Sequence, residues 1–497
     1  NFTPGHLGSM PYVIRTVLEY FQPETLRPGD AIFLNDSFLG SGHFPDCFMA
    51  SPVFLEEELV GFVVNTAHHI DVGGAAPGSQ RVHGVSESFQ EGLRILPIRL
   101  VREGRFDPDL LRIILANVRI PEKVEGDLNA QLNANRAGIE RLSRLFKEYG
   151  MSVLNLAFDD ILSVSETCMR DLITQIPDGV YSFDDCLDDY GPGTEPIRVS
   201  VDIKVDKSNI EVDFSRSSDQ VPAALNSYIN YTRAYTVFSV KVFCDALLPQ
   251  NEGGIRPITT TAREGSFFNP TFPASSGGRA TVQIRIFDVI NGALSQALPD
   301  RAMGAFSHWN NPNIGGTDPR TGKSFVMYDL GFAGYGARAQ SDGPEALAPV
   351  VNCRNIPVEV HEHNNPVRIK RIELIPDSGG AGQYRGGCGL RKDIELLADE
   401  ATITLLGDRH KFAPYGLLGG KPGANAQTIL NPDGAAESLG SKSVHQLKRG
   451  DVVSFRLAGA GGYGNPEDRD HEAINRDLAD GLISPEHAMK NYGVELD

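Results

Sequence analysis

The chain has 497 residues, too many for one ordinary domain, and a formal net charge of −18. That acidity repels phosphate backbones and anionic lipid faces, so no nucleic-acid or membrane partner is expected. Apolar runs such as residues 59–64 are far shorter than the roughly 18 residues of a membrane span, no charged-then-apolar leader opens the chain, and the six cysteines are scattered without paired spacing. These features lead to the expectation of a soluble, cytoplasmic protein with reduced thiols.

Met10, Val13, Ile14, Val17, Leu18 and Phe21 recur at helical spacing up to Pro23. Pro28-Gly29-Asp30 then turns the chain into a strand over residues 31–34. Asn35-Asp36 and two glycines lead to a first polar cluster, His43-Phe44-Pro45-Asp46. Residues 48–55 and 59–67 are two apolar strands separated by the charged turn Glu56-Glu57-Glu58, and the second runs into His68-His69-Ile70-Asp71. In an antiparallel hairpin the residue before the first strand meets the residue after the second. Folding about Glu57 therefore sets Asp46 opposite His68, or opposite His69 if the register slips by one. Two imidazoles and a carboxylate at the open end of one hairpin are a ligand set for zinc, manganese or iron(II). Crowded titratable groups beside apolar strands are costly to desolvate without a cation or substrate to pair with.

A long glycine-containing loop follows, ending in Glu91-Gly92-Leu93-Arg94, and loops of that length inside compact domains are usually functional or disordered. Asp107-Pro108 caps a helix carrying Leu110, Leu111, Ile113, Ile114 and Val118. A second helix runs over 121–149, where Asn129, Gln131, Asn133, Asn135 and Arg136 either face a site or, the reading taken here, form a solvated face, and a third runs over 153–176. The pattern then switches to period two, with a hairpin turning at Asp206-Lys207-Ser208-Asn209. Residues 228–247 read as a helix and 280–298 mix strand and helix signals. Short strands are expected at 367–374, 390–397, 402–406 and 452–457, then a small helix near 471–478 and a polar tail. Helices and strands succeed one another without regular βαβ alternation. The expected class is α+β, with mixed, largely antiparallel sheets, an N-terminal helical segment and glycine-rich loops. Three domains are expected: 1–179 with the metal site, hairpin and long helices; 180–355 of mixed β/α structure; and a β-rich 356–497.

Three motifs mimic chemistry. The stretch from Gly316 to Ser324 resembles a phosphate-binding loop, but one residue too many separates Gly316 from Gly322 and no helix pattern follows, so it reads as a turn between strands. Gly459-Ala460-Gly461-Gly462-Tyr463-Gly464 has dinucleotide-loop spacing, but Pro466 interrupts the helix that should follow and too little chain remains for that fold. His361-Glu362-His363 would place two imidazoles on one side of a strand, a pattern that exposed hydrogen-bonding histidines explain equally well. No nucleophile elbow is present.

Taken together, His6-Leu7-Gly8-Ser9-Met10, His43-Phe44-Pro45-Asp46, Ala67-His68-His69-Ile70-Asp71-Val72-Gly73-Gly74, Glu91-Gly92-Leu93-Arg94, Asp377-Ser378-Gly379-Gly380, Asp408-Arg409-His410 and Gly461-Gly462-Tyr463-Gly464 resemble the hydantoinase B/oxoprolinase family. The resemblance covers essentially the whole chain. The family usually has several dozen residues ahead of the His6 segment, so this sequence is expected to begin inside a domain. The resemblance implies one component of a hetero-oligomer whose partner, a hydantoinase A-type subunit, holds ATP and Mg. Family activities are hydrolysis of cyclic amides (5-oxoproline, N-methylhydantoin, caprolactam) and carboxylation of ketones such as acetone or acetophenone.

It places a divalent metal (Zn, Mn or Fe) on His43, Asp46 and one histidine of the 68–69 pair, taken as His69. Asp71 or Glu91 is then the proton acceptor, with His68 a further catalytic group, and His6, Asn35 and Asp36 contact substrate or orient the ligands. The expected function is the metal-containing subunit of an ATP-dependent cyclic-amide hydrolase. The alternatives are a subunit of an acetone- or acetophenone-type carboxylase and a non-catalytic scaffold for the ATP-binding partner.

Overall fold

A computed structural model describes residues 4–40 and 42–494. Helix α1 (Pro4–Tyr20) precedes a sheet made of β1 (Ala31–Leu34), β2 (Asp46–Leu55), β3 (Glu58–His68), β4 (Ile98–Arg102) and β5 (Arg105–Phe106), in the order β3-β2-β1-β4-β5. Because side chains alternate along a strand, each face of this sheet has its own core. Ile32, Leu34, Phe48 and Ala50 pack with Val13 and Val17 of α1. Phe33, Cys47 and Met49 pack with Ile114 of α2 (Pro108–Ala116) and Leu128 and Leu132 of α3 (Pro121–Tyr149). The β2–β3 hairpin pairs in the unslipped register, Asp46 opposite His68, with an irregularity between Val53 and Phe54.

The amides of α3 are only partly a solvated face. Gln131 and Asn135 are buried against the hairpin, where Gln131 Nε2 donates to the Cys47 carbonyl at 2.9 Å and Asn135 Nδ2 to the Met49 carbonyl at 3.0 Å. Both side chains also bond Asn65 of β3. A helix laid across a sheet has no free backbone groups of its own to offer, and these two amides tie it to the hairpin by hydrogen bonds.

The chain continues through α4 (Met151–Ile173) into β6 (Gly179–Leu187), β7 (Ile197–Asp206) and β8 (Asn209–Asp213), then α5 (Ile229–Asp245), α6 (Glu252–Ile255) and β9 (Ile258–Thr261). The sheet β6-β7-β8-β9 is antiparallel except for the parallel β8–β9 pair. Helix α7 (Val282–Leu294) lies within the segment of mixed signals, and every residue of it is buried. A helix covered on all sides shows no amphipathic stripe, so its periodicity is not legible. The rest comprises β10 (Trp309–Asn310), β11 (Asn313–Thr317), β12 (Ser324–Tyr328), β13 (Gly331–Phe332), α8 (Val358–Asn364), β14 (Val367–Ile375), β15 (Gly389–Leu396), β16 (Glu400–Thr404), β17 (Gln427–Leu430), β18 (Glu437–Leu439), β19 (Val444–Lys448), β20 (Val452–Arg456), α9 (His471–Ala479) and α10 (Pro485–Tyr492). They build two larger antiparallel sheets, β12-β11-β16-β19 and β14-β15-β20-β17-β18. The fold is α+β with largely antiparallel sheets.

Two local expectations are corrected. His361-Glu362-His363 lies in α8 rather than on a strand, and His361 is buried 3.0 Å from Asp329, whose other oxygen takes Lys392 at 2.6 Å. This is a buried ion-pair cluster without open coordination. The expected polar tail contains α10, which buries Ala488 and Tyr492 against Ile474 and Ile483.

The look-alike loop from Gly316 to Ser324 is the turn between β11 and β12. The glycine-rich segments near 304, 336, 386, 420 and 461 pack as extended chains side by side, cross-linked by backbone bonds such as Gly461 N to the Ala305 carbonyl and Ala337 N to the Gly461 carbonyl, each 2.9 Å. Their separation leaves no room for side chains: a Cβ on Gly461 would stand 1.8 Å from the Tyr415 carbonyl oxygen. Among the described residues, no helix is long and apolar enough to cross a membrane.

Candidate metal centre

Asp46 opens β2 and His68 closes β3, so strand pairing alone brings them face to face. His43 sits one tight turn earlier, with the Asp46 N–H donating to its carbonyl at 3.0 Å. One ligand atom from each of His43, Asp46 and His68 lies within 4.8 Å of the others. The three residues form the polar end of a cavity of about 390 Å³, joined there by His6 of α1 and by Arg279, which stands in the turn just before α7. Ile70, Trp309, Tyr328, Leu330, Val351 and Ile356 form most of the remaining wall, with Tyr231, Gln283 and Cys353 adding polar atoms.

The protonation states follow from the contacts. His43 Nδ1 lies 2.7 Å from the Gly277 carbonyl, which can only accept, so the proton of the neutral ring sits on Nδ1 and Nε2 is an acceptor. Burial, reinforced by Arg279, lowers the His43 pKa and keeps the ring neutral. Yet Nε2 faces Asp46 Oδ1 at 3.2 Å. Burial acts to raise the Asp46 pKa, but His43, His6 and Arg279 outweigh it, and the carboxyl lies well below its ordinary value, ionised. A neutral imidazole lone pair and a carboxylate oxygen repel at this distance unless a cation stands between them. His68 is likewise neutral, its pKa taken down to about 3 chiefly by burial, and Gln80 meets its Nε2 at 3.0 Å. Neutral imidazoles with an ionised carboxylate are the protonation states that a divalent metal requires, so the residues present fit such an ion.

Asp46 is held in place by Arg279, whose guanidinium bonds Oδ2, while His6 Nε2 stands 3.0 Å from Oδ1. Arg279 is itself fixed by Tyr231, whose hydroxyl receives Nη1 at 2.5 Å and donates to Gln283 at 2.6 Å. No pattern in the sequence singles out Arg279, Tyr231 or Trp309. They lie more than 160 residues from the histidine clusters, and only Gly277-Gly278 ahead of an apolar run marks the neighbourhood of Arg279.

The other expected site residues lie elsewhere. His69 does not join His43 and Asp46: it points to the opposite face of the sheet, stacked near Phe33 and 3.0 Å from Gln131 Oε1. Asp71 is not placed to take a proton in the cavity, because Arg119 holds it through its side chain at 2.8 Å and its backbone N–H at 2.8 Å. Asn35 cross-links the Phe44 and Leu93 carbonyls and the Ile95 N–H. Asp36 caps a short 3₁₀ turn through the Phe38 and Leu39 N–H groups and pairs with Arg94. Neither lines the cavity, and both fix the loop that carries His43. Glu91 lies behind His43: its Oε1 accepts the Ser276 N–H at 2.8 Å and the Gly277 N–H, steadying the carbonyl that orients the imidazole. Burial pushes the Glu91 pKa up to about 8 despite these donors.

A family model described as "Hydantoinase B/oxoprolinase" matches residues 1–466. The B component of a putative D-/L-hydantoinase from a Pseudomonas strain is 32% identical over 99% of this chain and 86% of its own length. The beta component of the caprolactamase of Pseudomonas jessenii is 31% identical over 99% of this chain and 87% of its own. The crystal structure of that organism's ATP-dependent caprolactamase superposes with a TM-score of 0.92 at 29% identity, covering 99% of this chain and 87% of the other. A nucleotide-free acetone carboxylase structure, 19% identical, shares the fold with a TM-score of 0.89 over 99% of this chain and 72% of its own. With the fold, the whole-length likeness and the conjunction of residues 43, 46 and 68 established, the chain belongs to the hydantoinase B/oxoprolinase family.

Proposed function

We propose that this chain is the metal-containing subunit of an ATP-dependent cyclic-amide hydrolase, opening a hydantoin, oxoproline or lactam ring together with a hydantoinase A-type partner that holds ATP and Mg. The observation that carries the metal assignment is the apposition of the His43 Nε2 lone pair and the Asp46 carboxylate at 3.2 Å, with neutral His68 beside them. The hydrolytic branch is supported by whole-length identity to proteins named as hydantoinase and caprolactamase subunits, whereas the acetone carboxylase likeness extends to fold alone. That both of those relatives are named as single components of larger enzymes supports a hetero-oligomer.

When bound, a divalent cation supplies Lewis acidity and lowers the pKa of coordinated water. The chain's own residues supply the rest. The Gly277 carbonyl fixes the His43 tautomer, and Arg279 fixes Asp46 and balances its charge. His6 presents Nε2 to the cavity beside Asp46 and is placed to hold a proton there, the role expected of Asp71 and Glu91. The wall formed by Trp309, Leu330 and Val351 excludes water from the ring.

Reconstitution with the ATP-binding partner tests the reaction. ATP consumption is expected with a hydantoin or lactam alone, and turnover that appears only with a ketone and bicarbonate would assign the chain to the carboxylases. Alanine at His43 and Asp46 is expected to abolish turnover in the assembled complex, whereas a scaffold would retain it.

A further inference from the structure

We infer that the cavity is built for an uncharged ring bearing an apolar substituent, and that it discriminates against a ring bearing a carboxylate, such as 5-oxoproline. The inference rests on the reading of this cavity as the ring-opening site and specifies its substrate class. Among the described lining residues, Asp46 and Arg279 are the only side chains with a permanent charge, and they neutralise each other. Arg279 uses both of its amino groups within the protein: Nη2 bonds Asp46, Nη1 bonds the Tyr231 hydroxyl, and the guanidinium lies 3.9 Å from the centroid of the Tyr231 ring. A second carboxylate would have to compete with Asp46 for the same guanidinium.

If the reacting amide sits at the polar end, its ring substituent falls against Leu330, Val351, Ile356 and the Trp309 and Tyr328 rings. An anion placed against that wall loses its water and meets no charged side chain there, a costly burial, whereas a hydrocarbon group gains by leaving water. The cavity's 390 Å³ falls in the range of pockets that hold drug-sized ligands, roughly 300–1,000 Å³, so it has room for a substituent beyond the ring itself.

Trp309 is the chain's single tryptophan and lines the cavity, so its fluorescence reports occupancy without ATP, partner or turnover. The full-length chain, loaded with Zn, Mn or Fe(II), is titrated at pH 7 with 5-isobutylhydantoin and with 5-oxoproline. The fluorescence change is expected at concentrations at least about tenfold lower for the hydantoin. In a Leu330→Lys variant, which places a cation in the apolar wall, the gap is expected to close to less than about threefold. If the variant does not fold, the order measured on the unmodified chain decides. An equal or tighter response to 5-oxoproline, or no response to either compound, overturns the inference. Failure of the hydrolase reading is seen separately, as no ATP-dependent opening of either ring by the reconstituted complex whatever the fluorescence order.

Discussion

The two histidines at the end of β3 have opposite destinies, because His69 continues the alternation by which successive side chains leave a β-strand on opposite faces. His68 enters the cavity with its ring centroid 5.0 Å from that of His43, while His69 turns to Gln131 behind the sheet. His68→Ala is therefore expected to lower metal content to a small fraction of the unmodified chain's, measured by elemental analysis. His69→Ala should keep its metal and lose about 1–3 kcal/mol of stability, since a buried amide is left without its partner; metal loss from His69→Ala with retention in His68→Ala would reverse the assignment.

Glu91 makes a prediction of a different kind. Its folded pKa, about 8, lies above the ordinary carboxylate value. A carboxyl raised in this way contributes stability that is complete below its unfolded pKa, about 4.5, and that is lost as pH rises through about 8. Unfolding midpoints of the unmodified chain should fall across that window relative to those of Glu91→Gln, which keeps the acceptor for the Ser276 and Gly277 N–H groups but does not ionise. Parallel profiles for the two proteins would refute it.

At the level of elements, the expected glycine-rich loops are cross-linked to one another by backbone hydrogen bonds. The glycine-rich segments that resemble nucleotide loops form a tightly spaced layer, and their glycines serve close approach of backbones, not phosphate binding. Gly461→Ala would press a methyl group onto the Tyr415 carbonyl, 1.8 Å from where the new carbon would stand. The expected loss is about 1–3 kcal/mol, read as a lower denaturant midpoint; an unchanged midpoint would show that the layer yields freely. The same layer carries function indirectly. Its segments around residues 304 and 335 flank Trp309 and the loop bearing Val351, anchored where the Tyr335 hydroxyl donates to the Ala348 carbonyl at 2.6 Å.

For the whole molecule, α7 is the keystone. It is buried throughout, it begins just after Arg279, and its Arg285 is fully buried among Asp185 at 3.4 Å, Asp288 at 3.3 Å and Asp408 at 2.7 Å. Arg409 and Lys442 complete the cluster, so β6, α7 and the loop after β16 are joined by one charge network. Removing one member leaves carboxylates buried without compensation. Arg285→Met is expected to cost about 3–5 kcal/mol, measured by equilibrium unfolding, despite its near-equal volume. A loss below about 1 kcal/mol would mean that Arg409 and Lys442 suffice.

What the amino-acid order determined by itself was local: the hairpin, the capped helices, the period-two strands and the juxtaposition of Asp46 with the His68-His69 pair, all set by interactions between near neighbours. His43 and Asp46 were legible for that reason, three residues apart on one turn. Tertiary structure alone decided that His68 rather than His69 faces His43 and Asp46, that Asp71 is held by Arg119 away from the cavity, that Asn35 and Asp36 brace the loop bearing His43 without touching the cavity, and that Arg279 and Trp309 arrive from distant segments. Burial and long-range packing set which face of a strand meets the cavity and which charge meets Asp46, and neither leaves a periodic mark on the sequence.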